Sequence, residues 1–334
     1  MNILDIIIIG GGPSGINVAI SASKAGLDYV ILEKGVLVNS IYKFPTNMTF
    51  FSTSLKLEIG DTPFISHLDK PTRKEALEYY RRLINKWDLK IKLYEPVESM
   101  LSLEGQDLYE VTTSKGTYHA KSVVVATGFY DTPRHLNIPG EDLPKVTHYY
   151  DDPHPYVGQK VLVIGARNSA CDVALETYYK GAEVTMAIRG DEIHPKVKYW
   201  IRPNIVNRIK EGSIKAHFHT IVKEIRPTEV VLEGPDGEFT INNDFVLAMT
   251  GYQPNFDFFR SLGIEIEEGE IHKPCHHPET LETNLPNVYL AGVVCSGMAT
   301  SKLFIENTRD HGDKIVEAIL ARHRNASADE GVLT

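Results

Sequence analysis

The chain is poor in cysteine and tryptophan and carries no excess of positive charge. Its 334 residues include three cysteines, Cys171, Cys275 and Cys295, and two tryptophans. Three scattered cysteines cannot build a disulfide framework and suit a reducing, cytoplasmic compartment. No Cys-x-x-Cys pair occurs, which excludes dithiol exchange through an internal redox pair. Lys and Arg number 35 against 44 Asp and Glu, a formal net charge of −9. Nucleic-acid binding needs a dense basic patch and is not expected. One uncharged stretch, residues 6–23, approaches the length of a membrane span. The glycines at 10–12, Pro13 and Asn17 interrupt it, so it reads as strand, turn and helix, and no membrane association is expected. A basic segment of the kind that opens a signal peptide is also lacking, as is any repeat at solenoid spacing.

What is present is a pair of glycine-containing turns, each behind an aliphatic run. Ile6-Ile7-Ile8-Ile9 leads into Gly10-Gly11-Gly12-Pro13-Ser14-Gly15. Val161-Leu162-Val163-Ile164 leads into Gly165-Ala166-Arg167-Asn168-Ser169-Ala170. Each has the order of a buried parallel strand turning into a helix, which cradles a dinucleotide pyrophosphate on backbone N–H groups. In the first, Gly10 permits the turn, Gly12 lets the phosphates approach, and Gly15 lets the helix pack on its strand. A second strand, Tyr29-Val30-Ile31-Leu32, ends in Glu33, 18 residues beyond Gly15. A carboxylate there accepts from ribose hydroxyls and repels a 2′-phosphate, so this cradle fits FAD or NAD. In the second, the strand at 183–188 ends in Arg189, 19 residues beyond Ala170. A guanidinium there grips a 2′-phosphate, which points to NADPH, with Lys196 and Lys198 adding charge. Arg167 stands where the second glycine is usual, and either crowds the pyrophosphate or pairs with it.

The spacing predicts further elements. An amphipathic helix covers 73–87, short antiparallel strands follow over 90–124 and again over 213–246, and a helix begins near Ser301. The segment 39–54 is rich in aromatics and hydroxyls, and Phe50 or Phe51 could pack on a flavin ring. The proline-rich run 133–155 reads as a crossover into a second domain. The fold class is α/β, with two Rossmann-like, three-layer ββα dinucleotide-binding domains. The cluster His272, Cys275, His276, His277 has metal-ligand residue types, but adjacent residues chelate one ion poorly and no second cluster exists, so no metal is expected.

These motifs, with Ala126-Thr127-Gly128 and Ala291-Gly292, resemble the thioredoxin-reductase-like flavoproteins. Longer runs, among them Glu33-Lys34-Gly35, Val38-Asn39-Ser40-Ile41-Tyr42, Thr49-Phe50-Phe51-Ser52, Lys56-Leu57-Glu58-Ile59-Gly60-Asp61 and Phe304-Ile305-Glu306-Asn307, are most similar to the bacillithiol disulfide reductases. The resemblance implies a discontinuous FAD domain, 1–132 and 251–334, with an NADPH domain, 133–250, inserted. It places FAD against Gly10, Gly12, Pro13, Ser14, Gly15, Glu33, Lys34, Ser40, Phe51, Val97, Thr127, Gly128 and Gly292. It places NADPH against Gly165, Arg167, Asn168, Ser169, Ala170 and Arg189. It implies hydride transfer from NADPH to FAD and onward to a small-molecule disulfide such as bacillithiol disulfide, in a homo-oligomer. The alternatives are electron delivery to a redox protein such as ferredoxin or flavodoxin, a flavin monooxygenase-like activity, or a redox-sensing role.

Two positions depart from that pattern. Members of the bacillithiol group carry a cysteine after the fingerprint proline, where this chain has Ser14. Flavoproteins of this type carry an aspartate after the Ala-Gly turn, where this chain has Val293, so backbone groups near Gly292 are expected to hold the flavin nucleotide. Cys295 is the one candidate to replace the missing thiol.

Overall fold

The computed structural model describes residues 2–103 and 105–332, with side chains through residue 324. The chain divides into two compact units. The first comprises Met1–Tyr42, Met48–Thr132 and Tyr252–Thr334, and the second Lys43–Asn47 and Pro133–Gly251.

The first unit is organised around the strand Ile3–Ile9, whose Ile6, Ile7 and Ile8 are fully buried. A strand covered on both faces is expected to be continuously aliphatic, as this one is. It pairs in parallel with Tyr29–Leu32 on one side (Ile6 opposite Tyr29) and with Gly116–Val125 on the other (Ile9 opposite Val125). Ile91–Lys92 and Val288–Leu290 extend the parallel layer. The strand Gly116–Val125 also turns back antiparallel against Leu108–Thr113, which pairs with Val97–Leu103. The helix Pro13–Lys24 follows the first fingerprint, and the helix Arg73–Trp87 has the predicted bounds, started by a capping box between Thr72 and Glu75.

The last helix packs on Pro13–Lys24. The Asn17 side chain donates to the Arg309 carbonyl (2.6 Å) and Ser21 Oγ to Asp313 Oδ1 (2.7 Å). At Gly312 a Cβ would lie 2.8 Å from the Asn17 carbonyl oxygen. This helix runs His311–Val332, not from near Ser301. Upstream, Asn307 Oδ1 accepts from the Phe304 N–H (2.7 Å) and the Thr308 hydroxyl donates to the Phe304 carbonyl (2.8 Å). These local bonds hold 304–308 as a separate turn in competition with the helix.

In the second unit a parallel sheet runs in the order Lys215–His217, Glu183–Ala187, Lys160–Ile164, Phe245–Ala248, Val146–Thr147. Alternation along the central strand separates two cores. Val161 and Val163 pack with Cys171, Met186 and Ile205 beneath the helices Asn168–Tyr179 and Arg202–Lys210. Leu162 and Ile164 pack with Val230, Leu232 and Val246 beneath three antiparallel strands, Ile221–Ile225, Glu229–Gly234 and Gly237–Asn242. Both units are Rossmann-like α/β folds in which a parallel sheet feeds a glycine turn into a helix.

Candidate functional site

The two fingerprint turns are built alike. The Gly10 N–H donates to the Leu32 carbonyl (2.9 Å), and the Gly165 N–H donates to the Ala187 carbonyl (3.1 Å). Both glycines have positive φ, 112° and 126°. A Cβ on Gly10 would lie 2.6 Å from the Ala126 carbonyl oxygen, and one on Gly165 would lie 2.8 Å from that of Met249. No side chain could stand at either position. In neither turn does a side chain cap the helix that follows: Gly12 and Arg167 occupy the N-cap positions. The helix N-termini therefore keep the N–H groups that favour an anion.

The third fingerprint position separates the turns. A Cβ on Gly15 would lie 2.0 Å from the Gly10 carbonyl oxygen, so only glycine fits there. The second turn has Ala170 at the matching place, with its Cβ buried near Gly165. Gly12, in contrast, has nothing within 4 Å of a Cβ position, which leaves the approach to the first turn open.

Most residues proposed for the first turn converge on it. Glu33 is buried, and its two carboxylate oxygens accept from the Gly11 N–H (2.7 Å) and the Gly35 N–H (2.8 Å). Burial pushes this carboxyl above its ordinary range, with those two N–H donors opposing the shift. Thr127 packs beside Gly10, and its hydroxyl is buried with no hydrogen-bond partner among the described residues. A buried hydroxyl in that state awaits a polar guest. Ser40 faces Gly128, Lys34 pairs with Asp131 (2.8 Å), and Ser14 lies directly against Gly292. Val97 opens an outer strand close to Glu33, since the Glu95 N–H donates to the Glu33 carbonyl (2.9 Å). Phe50 is buried, whereas Phe51 is 57% exposed with the Lys70 ammonium over its ring.

Sequence reasoning missed two residues here. Glu95 is a buried carboxylate that accepts from Thr113 and Tyr118. His311 accepts the Gly292 N–H at Nδ1 (3.1 Å). The backbone donor expected to face a nucleotide at Gly292 is therefore committed to a histidine.

At the second turn Arg167, the N-cap residue, is exposed. It lies near Arg134, whose guanidinium is pushed below its usual range by burial and by the Arg167 charge. His194, whose N–H donates to the Ala166 carbonyl, is depressed by burial and by Arg167. Arg134 lies 31 residues before the fingerprint, and no spacing rule signals it. Ser169 is exposed, and Asn168 Oδ1 accepts from the Lys198 N–H (2.8 Å). Lys198, expected to add charge at this turn, forms an ion pair with Asp172 (2.8 Å). Arg189 is exposed at the end of its strand and lines a surface hollow with His219, Ile221 and Pro235.

The sulfur chemistry is quiet. Cys295 is buried, donates to the Leu290 carbonyl (3.6 Å), and is pushed up to about 12 by burial. Cys171 lies in the core of the second unit with its thiol likewise raised to about 12. The histidine-rich run is tied up locally: His276 contacts the Pro274 carbonyl (2.7 Å), and His277 Nδ1 accepts from the Glu279 N–H (3.2 Å).

Two glycine sockets, the first backed by an acid and the second by a set of cations, define a two-nucleotide oxidoreductase of the flavoprotein class. The chain belongs to the pyridine nucleotide-disulphide oxidoreductase family, whose model matches residues 7–292. It is 43% identical over 320 residues to bacilliredoxin reductase Bdr of Bacillus subtilis (strain 168), covering 96% of this chain and 98% of that protein. The solved structure of bacillithiol disulfide reductase Bdr from Staphylococcus aureus is 41% identical, with a TM-score of 0.93 over 96% of this chain and 99% of the other. Thioredoxin reductase of T. acidophilum, at 21% identity and a TM-score of 0.75 over 97% of this chain and 99% of the other, shares the fold. The chain is thus a thioredoxin-reductase-like enzyme that uses FAD and a reduced pyridine nucleotide.

Proposed function

We propose that the first unit binds FAD, that the second binds NADPH, and that the enzyme uses NADPH to reduce a low-molecular-weight disulfide, bacillithiol disulfide, in a reducing cytoplasm. The observation that carries the reading is the matched pair of sockets at Gly10 and Gly165. The domain assignment follows the acid and the cation: Glu33 suits a ribose without a 2′-phosphate, and Arg189 suits one with it.

Bound in these sockets, the two cofactors supply hydride transfer and two-electron reduction, NADPH + H⁺ + RSSR → NADP⁺ + 2 RSH. The chain's own part is binding and positioning. The uncapped helix ends receive the pyrophosphates, Thr127 offers a buried hydroxyl, and Arg134, Arg167 and Arg189 offer positive charge where phosphates would lie. Neither position considered for a thiol, Ser14 or Cys295, is suited to exchange. The Ser14 hydroxyl cannot form a mixed disulfide, and the Cys295 thiol is protonated at neutral pH and engaged with Leu290. We therefore assign no covalent protein–substrate disulfide to this chain.

The relatives are named for two acceptors, bacilliredoxin in B. subtilis and bacillithiol disulfide in S. aureus. Anaerobic titration of the yellow protein with NADPH, followed at the flavin absorbance, tests the first half-reaction, and bleaching is expected. Addition of bacillithiol disulfide tests the second, and recovery of the absorbance is expected. Recovery only with oxidised bacilliredoxin would move the assignment to a protein disulfide, and no bleaching would sink the proposal. A homo-oligomer, expected from the resemblance, is read by light scattering.

A further inference from the structure

We propose that His135, Glu141 and His148 form a binding site for one divalent transition-metal ion of the zinc class. They lie in the second unit, on the segment by which the chain enters it. Glu141 Oε1 is 3.0 Å from His148 Nε2 and 3.3 Å from His135 Nδ1. The three ligand atoms all lie within 4.8 Å of one another. Ligands held about 2.0–2.1 Å from a tetrahedral zinc sit roughly 3.4 Å apart, so little movement is needed to bring the three around an ion.

The surroundings have the features that orient metal ligands. Glu141 is fixed by the backbone independently of the histidines: Oε1 accepts from the Leu136 N–H and Oε2 from the Asn137 N–H, each at 2.7 Å. His148 Nδ1 lies 3.4 Å from the Thr250 hydroxyl, and the ring also bonds the Ala248 backbone. Nε2 is the ring atom turned to Glu141 while the other nitrogen is held from behind, the usual second-shell arrangement of a ligating histidine. In the metal-free protein this contact is a His–Glu hydrogen bond, and a cation would take the place of its proton. The side chains of Glu141 and His148 are 8% and 11% exposed, while that of His135 is 54% exposed. Two ligands are thus set in the protein and the third stands at the surface, leaving a way in and room for water as a fourth ligand. Two imidazoles and a carboxylate match ions of borderline softness such as Zn²⁺, and not Mg²⁺ or Ca²⁺, which prefer all-oxygen shells. The segments of 135 to 141 and 141 to 148 are too long for a spacing motif.

The test uses the full-length, FAD-loaded protein, treated with chelator and titrated with ZnCl₂ against a chromophoric competitor. One saturable site is expected. His135→Ala, at an exposed position that leaves the packing intact, and Glu141→Gln should each weaken binding at least tenfold. His272→Ala should leave it unchanged. Zinc should raise the melting temperature of the parent protein and not that of His135→Ala. Anomalous scattering at the zinc edge should place the ion between His148 Nε2 and Glu141 Oε1. An absence of saturable binding, binding unmoved by both variants, or an ion located at His272–His277 would overturn the site and leave the three residues as a hydrogen-bonded His–Glu pair with a neighbour.

Discussion

The Gly292 N–H is held by Nδ1 of His311 at 3.1 Å, which requires His311 to be unprotonated there. Burial depresses this imidazole from 6.5 to about 4, and Asp310 only partly opposes the shift. A base whose folded value is lowered contributes stability that is complete above its unfolded value and is lost as pH falls toward the folded one. Urea unfolding should therefore show stability falling between about pH 6.5 and pH 4, by on the order of 3 kcal/mol from this group. His311→Asn, which keeps an acceptor near the Nδ1 position and removes the titration, should flatten that slope. An unchanged slope in the variant would assign the loss to other groups.

The two fingerprints should respond differently to the same exchange. Gly15→Ala puts a methyl 2.0 Å from the Gly10 carbonyl oxygen, and the protein should purify colourless or with most of its flavin lost. Ala170→Gly removes a methyl from a turn that accommodates it, costing about 1 kcal/mol of helix stability, with KM for NADPH within threefold. Flavin content by absorbance and steady-state kinetics read the two outcomes.

Arg189 should set the choice of nucleotide. Arg189→Ala is expected to raise KM for NADPH by about ten- to a hundredfold, as removal of a charge-assisted pair does, while KM for NADH changes less than threefold. Equal effects on both nucleotides would show that the residue acts on something other than the 2′-phosphate.

Cys295→Ser should leave disulfide turnover within twofold of the parent. The thiol is protonated and serves as a small buried donor to Leu290, and a hydroxyl can take that place. A loss of more than tenfold with normal flavin content would return this sulfur to the reaction.

The parallel strands, both turns, the helix Arg73–Trp87 and the acid at Glu33 were legible because each rests on local chemistry: aliphatic continuity, glycine at positive φ, amphipathic spacing, a strand-end carboxylate. What sequence could not show depends on long-range meetings. His311 reaches Gly292 across 19 residues through a turn at 304–308 that helical periodicity runs straight through. Arg134 meets Arg167, and Asp172 neutralises Lys198, only once the sheet is assembled. The histidine-rich run at 272–277 looked ligand-like by composition, whereas the three ligand-type residues that come together are His135, Glu141 and His148, spread over fourteen positions.

The matched sockets at Gly10 and Gly165 have a thermodynamic corollary. Each is closed by strands of its own unit, so on the proposed assignment each nucleotide would be linked to the unfolding of a different part of the chain. A ligand that binds only the native form raises the melting point of what it binds. Calorimetry should resolve this as two endotherms, one moving with added flavin and the other with added NADP⁺, each independent of the other's ligand concentration.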